Sequence, residues 1–235
     1  MKSIPKIDFI RKLFREKDIE KIDEKIQMLG SWVKFDALTF IFLRLVTTLL
    51  VLLLFTYILS VGYIFAPFVA IVYYYLFYYI LIESKIKRRI KKLDKEALDF
   101  FEILTLTLES GRNLENALEI TCFNIDSELS NEFKKTLFEM KFGKSLVEAL
   151  DDMKKRIPSE SINNIILNIT QTSIFGSSIL DTMYNQIEFL RDKQILEIKE
   201  QINKIPNKIS IISVIFVLPI ILLLILGPIF INFLG

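Results

Sequence analysis

"ESGRNLENAL", Glu109–Leu118, places a glycine between two apolar, helix-like runs. The pattern recurs loosely as "MKFGKSLVEAL" at 140–150 and "SIFGSSILDTM" at 173–183, so the three glycines are 32 and 33 residues apart. Glycine supports the left-handed conformation that commonly ends a helix, and Asn or Ser two residues later is a favoured N-cap. An apolar pair four residues apart then lies on one face of the next helix. Each copy therefore predicts the end of one helix and the start of another.

The residues expected to form these turns are three pairs. They are Gly111 with Asn113, Gly143 with Ser145, and Gly176 with Ser178. In the second and third copies, an acidic residue three positions after the serine completes the spacing of a capping box.

A ligand-binding role for the middle turn is disfavoured. Gly143-Lys144-Ser145 ends like a phosphate-binding loop, but that loop needs a glycine where this chain has Phe138, and it should follow a strand. The spacing of the glycines is also typical of tetratricopeptide and ankyrin arrays, whose signature residues are absent from this chain. The glycines are therefore interpreted as helix turns.

The segment around these turns is predicted to be a helical bundle. Residues 83–208 carry apolar side chains at helical spacing in six successive segments with short connections. This pattern predicts an antiparallel six-helix bundle, and about 120 residues are enough to bury a core. Positions expected to face that core include Leu93, Ala97, Phe101, Leu118, Cys122, Phe133, Leu150, Ile166 and Met183.

Three other stretches are long and apolar. They lie at about 37–60, 61–82 and 209–234, and each is long enough to cross a bilayer as a helix. Arg44 interrupts the first stretch and is expected to snorkel toward the headgroups or to pair with Asp36. The fold class is therefore predicted to be all-α, with three transmembrane helices and a cytoplasmic bundle.

Charge predicts the orientation of these spans. Of the 30 Lys and Arg residues, nine lie in 1–36 and 20 in 83–208. The positive-inside rule places both segments in the cytoplasm, so 37–82 is a hairpin and the C-terminus lies outside. Residues 1–36 are too long and too charged for a signal-peptide n-region, and the first span is expected to remain as an anchor.

The predicted organisation has four parts. They are a cytoplasmic amphipathic segment (1–36), a transmembrane hairpin (37–82), a cytoplasmic helical domain (83–208) and a third transmembrane helix (209–234). The amphipathic segment is expected to lie on the membrane surface, against a partner, or in solvent with a modest docking face. The membrane-helix kinks are expected at Pro206, Pro219 and Pro228, and Pro206 should break or kink the last helix where the third span begins.

Composition limits the chemistry. The chain has 52% hydrophobic residues, 25% charged residues and a net charge of +2, which gives no strongly basic field for nucleic acid. Without histidine and with one cysteine, it cannot form His-based triads, HExxH zinc sites, CxxC sites or internal disulfides. No cofactor, metal or catalytic residue is expected.

Several segments together resemble a known family. They are "ALDFFEILTLTLESGRNLENALEI", "FGKSLVEALDDM", "FGSSILDTMYNQIEFLRDKQ" and the ending "KIPNKISIISVIFVLPIILLLILGPIF". Over about residues 94–231 the chain resembles the type II secretion system F-domain family, the platform proteins of type II secretion, type IV pilus, tight-adherence and archaellum machines. The ending looks like the tight-adherence C-type subgroup. Classical platform proteins of type II secretion and type IV pili carry two F domains, whereas this chain carries one.

The resemblance implies a non-enzymatic platform in the cytoplasmic membrane. Such a platform contacts a hexameric assembly ATPase and helps to lift pilin-like subunits from the bilayer into a filament. A single-domain member would pair with itself or with a homologous subunit. Polar residues beside the glycines, Arg112 and Lys144, are candidates for contact with the ATPase.

Two other classes remain as alternatives. A prepilin-type peptidase is disfavoured, because no Asp or Glu lies in a predicted span and no GxGD motif occurs. A membrane transporter or receptor subunit with a cytoplasmic regulatory domain is the alternative function. The spans contain no ionisable residue beyond Arg44, so no transport path is evident.

Overall fold

The computed structural model describes residues 16–30, 36–58, 62–175 and 178–234. Within these ranges the regular structure is helical and contains no strand, so the all-α prediction is confirmed. The α-helices are α1 (Glu16–Gln27), α2 (Ala37–Ile58), α3 (Gly62–Tyr78), α4 (Ser84–Glu109), α5 (Leu114–Asn124), α6 (Glu128–Lys141), α7 (Leu146–Arg156), α8 (Glu160–Phe175) and α9 (Ile179–Leu234).

Three helical stretches of the described residues are long and apolar enough to cross a membrane. They are Ala37–Ile58, an apolar window within Ile64–Glu109, and one within Ile179–Leu226. This agrees with the three predicted spans. The contacts within the chain form two compact units, Met1–Ile187 and Glu188–Gly235.

In the first unit, α2 and α3 form an antiparallel hairpin. Phe40 contacts Phe77 and Tyr78, with ring centroids 5.8 and 6.4 Å apart. Four residues further along α2, Arg44 stacks on Tyr74 of α3, so the two helices run in opposite directions. Arg44 is buried and donates from Nε to the Tyr74 carbonyl oxygen at 3.1 Å, rather than pairing with Asp36.

The second apolar stretch does not end in a turn. A π-helical turn at Tyr79–Glu83 joins α3 to α4, and the Ser84 N–H donates to the Tyr79 carbonyl oxygen five residues earlier. Between Pro67 and Gly111 the sequence contains neither glycine nor proline, so nothing breaks the helix. The π turn absorbs a change in the helical hydrogen-bond register. The helix of the hairpin therefore continues directly into the helical domain.

Helix α1 packs beside this junction. Ile26 of α1 forms a buried apolar cluster with Ala37 and Phe40 of α2, Ile82 of the π turn and Ile86 of α4. Lys25 also forms an ion pair with Glu83 in the π turn. The apolar face of this N-terminal helix is thus covered by the chain's own hairpin and α4, which is a different arrangement from a helix exposed to solvent.

Helix α4 is the centre of the helical domain and contacts α5, α6 and α8. Its Phe100 stacks on Phe133 of α6 with centroids 4.6 Å apart, and Phe101 meets the same ring edge-on at 6.2 Å. All three rings are fully buried. Aromatic pairs in these geometries stabilise a core beyond the apolar area that they bury.

The second unit consists of the remainder of α9. Described side chains between Ile209 and Leu226 are exposed on this chain, as expected for a span that faces lipid or another protein. The helix continues through Pro206 and so does not end there. The kinks at Pro206, Pro219 and Pro228 stay predictions.

Candidate interaction surface

The turn between α4 and α5 contains Gly111 and Asn113. Gly111 has φ +82°, and its N–H donates to the Leu108 carbonyl oxygen at 3.0 Å. The Asn113 side chain accepts a hydrogen bond from the Asn116 N–H at 2.9 Å and caps α5. Arg112, a candidate for ATPase contact, is exposed between them.

The turn between α6 and α7 also contains a glycine followed by an N-cap residue, and it has more hydrogen bonds than the turn between α4 and α5. Gly143 has φ +98°, and the N–H groups of Gly143 and Lys144 donate to the carbonyls of Met140 and Glu139 in a Schellman motif. Ser145 and Glu148 form a reciprocal capping box at the start of α7, with distances of 3.2 and 3.0 Å. The Schellman motif that ends α6 and the capping box that begins α7 are therefore adjacent at Gly143.

The third predicted turn is only partly described. Gly176 lies outside the described residues, so its role as a turn stays a prediction. Ser178 precedes α9, and its Oγ accepts from the Asp181 N–H at 3.4 Å. Ser178 therefore lies at the N-cap position of α9, and its capping hydrogen bond is longer than those of Asn113 and Ser145.

Lys144, the other candidate for ATPase contact, is held by acidic partners. Its Nζ lies 3.1 Å from Glu139 and 2.8 Å from Asp152. Hydrogen bonds from Lys144 and Lys155 lower the pKa of Asp152 to about 2. Because both acidic partners neutralise the charge of Lys144, this residue should attract an acidic surface of a partner protein less strongly than an unpaired lysine would.

Three exposed phenylalanines lie on α5, on α6 and directly after α6, and were not singled out from the sequence. Phe123, Phe138 and Phe142 are 89%, 60% and 75% exposed, and the rings of Phe138 and Phe142 are 4.5 Å apart. We call these three residues the aromatic surface. Phe123 and Phe138 also line an open cleft of about 300 Å³ beside Lys134 and Lys141.

Exposed aromatic side chains of this size are common in protein interfaces, because each buries a large area with little loss of conformational entropy. A sequence signal was available: Phe123 and Phe138 each directly follow a residue of the apolar core period, Cys122 and Leu137. Their helices therefore carry large apolar groups on a second face.

A buried ion network joins α6 to α4 and α7. Arg89 of α4 donates to Glu128 at 2.6 Å and to Glu132 at 2.7 Å. It also donates to the carbonyl oxygens of Met28, which follows α1, and Arg156, at the end of α7. One guanidinium thereby joins four parts of the first unit.

The partners of Arg89 are held in turn. Arg156 forms ion pairs with Glu132 and Glu139, both at 3.1 Å. Burial raises the pKa of Glu128, but hydrogen bonds from Arg89 and Lys92 outweigh burial and hold that pKa below its ordinary value. The network lines an open cleft of about 530 Å³ that also contains Lys92, Glu96 and Lys135.

The single cysteine is placed for packing. Cys122 is buried, and its thiol lies 3.6 Å from the Ser130 carbonyl oxygen. Burial raises the pKa of Cys122 to about 11, so the reactive thiolate is scarce at neutral pH. Among the residues that the structure describes, no group of three His, Cys, Asp or Glu side chains is placed to hold a metal. The surface offers apolar contacts and ion pairs, which suit binding to another protein.

Comparison with known proteins identifies one family model that matches the chain. It is described as type II secretion system (T2SS), protein F, and it matches residues 100–227. The matched segment covers more than half of the 235 residues and runs from the middle of α4 into α9. Searches of curated proteins and of solved structures found no match.

Proposed function

The chain belongs to the type II secretion system protein F family, and we propose that it is the inner-membrane platform subunit of a type II secretion or type IV pilus-like assembly machine. Members of this family are membrane platform proteins without catalytic activity. The observation that carries the proposal is the family match over 100–227, because it includes both helical-domain and membrane-length segments. The proposed role is non-enzymatic.

In this role, residues 83–208 form a six-helix antiparallel bundle in the cytoplasm. The short turns at Gly111 and Gly143 and the shared core of α4 and α6 support such a bundle. The concentration of 20 of the 30 Lys and Arg residues in the same segment supports its cytoplasmic side, with the N-terminus also inside and the C-terminus outside.

The partner of this bundle is a cytoplasmic assembly ATPase. The aromatic surface is the contact that we favour, because three exposed phenylalanines at the edge of one domain mark a protein interface. Arg112 is exposed and adds a positive charge at the neighbouring turn, whereas Lys144 is engaged by Glu139 and Asp152. Movement of the ATPase would reach the bilayer through α9 at Pro206 and through the unbroken α3–α4 helix.

The moved cargo is a pilin-like subunit, lifted from the bilayer into a filament. The chain carries one matched F domain, so a second copy or a homologous subunit completes the platform. The large exposed apolar face of α9 is available for contact with such partners or with lipid.

The test is copurification of the full-length chain in detergent with the assembly ATPase of its own machine. We expect Phe142→Ser to weaken ATPase retention about thirtyfold or more, since a buried interface aromatic contributes about 2 kcal/mol or more. Leu106→Ser, which changes another exposed apolar side chain on α4, is the matched control.

The outcomes separate the two claims. Equal retention of the ATPase by all variants would reject the aromatic surface and leave the platform role standing. If cells lacking the chain still assemble filaments or secrete normally, and the wild-type chain retains no ATPase, the platform role is rejected.

A further inference from the structure

Arg44 is a charged residue inside an otherwise apolar span. It lies seven residues after Ala37, the first residue of α2, which places its Cα roughly 10 Å along the helix. Only 8% of the residue is exposed. In a span of about 30 Å, this position lies well inside the hydrocarbon region, where a charge is costly and usually functional.

The contacts of Arg44 orient its charge without neutralising it. The guanidinium carbon is 3.4 Å from the Tyr74 ring centroid and 5.1 Å from that of Tyr78. Within the described part of the chain, the one hydrogen bond that the guanidinium makes runs from Nε to the Tyr74 carbonyl oxygen. All of these partners are neutral, so the positive charge remains.

The chain has no carboxylate of its own at this depth. The stretches 37–82 and 209–234 contain neither Asp nor Glu. Asp36 is exposed and lies eight residues before Arg44, which is about 12 Å along a helix. A counter-ion inside the membrane must therefore come from another molecule.

The geometry of the guanidinium suits a carboxylate. Its Nε side is fixed to α3, and the two Nη groups remain as the planar fork that binds a carboxylate with two hydrogen bonds. Stacking on Tyr74 holds the plane of this fork before any partner arrives, which lowers the entropic cost of binding.

We propose that Arg44, held by Tyr74 and Tyr78, is a membrane-embedded binding site for a carboxylate on the transmembrane helix of a partner protein. The acidic residue lies about seven residues inside the end of that helix that shares a membrane side with Ala37. A lipid phosphate fits less well, because it stays at the interface, roughly 10 Å along α2 from the Arg44 Cα. The inference depends on the span at α2 and not on the assembly role.

The experiment uses the full-length chain in phosphatidylcholine vesicles. The probe is a fluorescent, leucine-rich transmembrane peptide with one Glu about seven residues from one end, and the matched peptide carries Gln there. Association is followed by energy transfer to a dye on the chain. We expect the Glu peptide to bind about tenfold more tightly than the Gln peptide, the usual gain from a charge-assisted hydrogen bond.

Two variants locate the effect. Arg44→Gln should abolish the preference for Glu, and Arg88→Gln, which changes an exposed arginine after the spans, should leave it intact. Circular dichroism checks that each variant is folded. Equal binding of the two peptides by the wild-type chain overturns the proposal without requiring any variant.

The lipid alternative is tested in the same assay. Replacing about a fifth of the lipid with phosphatidylglycerol should leave the Glu preference unchanged if Arg44 binds a partner helix. Loss of that preference in the wild-type chain would show that a phosphate group occupies the site and would overturn the proposal.

Discussion

At the scale of single residues, Gly111 is constrained by its backbone and not by its neighbours. It has φ +82°, and a Cβ added there would meet no heavy atom within 4 Å. A β-branched side chain is strained in this left-handed region, so Gly111→Val should lower the free energy of unfolding by about 1–2 kcal/mol. Gly111→Asn, which tolerates that region, is the control and should cost less.

Unfolding of these variants can be followed through a native reporter. Cys122 is buried, and a fluorogenic maleimide should react with it only when the core opens. A thermal scan of the full-length chain in detergent then gives the midpoint for each variant. Equal midpoints for the Val and Asn variants would show that the positive φ is not what constrains this position.

Arg89 is constrained by its partners. Its side chain and that of Glu132 are 5% and 9% exposed, so removal of the guanidinium leaves a buried carboxylate with Arg156 as its remaining ion-pair partner. Breaking a buried pair in this way costs about 3 kcal/mol or more, and Arg89→Leu should show that loss. Lys92→Gln removes an exposed partner of the same network and should change stability by less than about 1 kcal/mol.

The same network predicts acid sensitivity. The folded-state pKa of Glu128 lies below its ordinary value of 4.5, so its ionised form favours the folded state. This contribution is present above about pH 5 and is lost as the pH falls through the folded pKa. The temperature of the unfolding midpoint should therefore decrease as the pH is lowered below about 5. In Glu128→Gln this decrease should be smaller. Raised salt will screen the exposed ion pairs of Asp152 and so suppress any contribution that they make to the pH dependence of stability. It will not suppress the contribution of the half-buried Glu128.

At the scale of helices, the start of α7 is set by its capping box. Ser145 satisfies the Glu148 N–H, and Glu148 satisfies the Ser145 N–H. Ser145→Ala should lower the free energy of unfolding by about 1 kcal/mol, measured by the same thiol-reactivity scan. Ser145→Asp keeps an acceptor at the N-cap and should restore most of the loss. An Asp variant as unstable as the Ala variant would argue against the cap.

The helix boundaries were predictable because their causes are local. The glycine and the capping residue each form hydrogen bonds with groups no more than four residues away, so a single sequence is enough to recognise them. The unbroken α3–α4 helix was not anticipated, because an apolar run changes to a charged one at Lys85 while the backbone meets no breaker. The amino-acid composition changes at Lys85, but the backbone remains helical from α3 through the π turn into α4.

The interaction residues were less accessible from the sequence. Arg89 lies among six other basic residues between Lys85 and Lys95, and only its helical spacing from Ile86 and Leu93 distinguishes it from its exposed neighbours. Its partners are 39 and 43 positions away in the chain. Arg44 was conspicuous by its charge, but its contact with Tyr74 depends on the register of two packed helices.

At the scale of the whole molecule, we predict the orientation in the membrane from charge and from the number of spans. Three membrane-crossing helices would put the two ends of the chain on opposite sides, and the basic residues of 1–36 and 83–208 predict that both of those segments lie inside. The connection near Gly62 and the C-terminus should then be outside.

Cysteine labelling tests this orientation with little background, because the pKa of Cys122 is raised to about 11 and its thiol is buried. In right-side-out membrane vesicles, a membrane-impermeant maleimide should label Ser60→Cys and a cysteine appended after Gly235. It should label Lys91→Cys only after detergent is added. Labelling of Lys91→Cys from outside would invert the topology, and labelling of Ser60→Cys but not of the appended cysteine would mean that the third apolar helix does not cross. The first result would remove the cytoplasmic placement on which contact between the aromatic surface and an assembly ATPase depends, whereas the second would leave that placement intact.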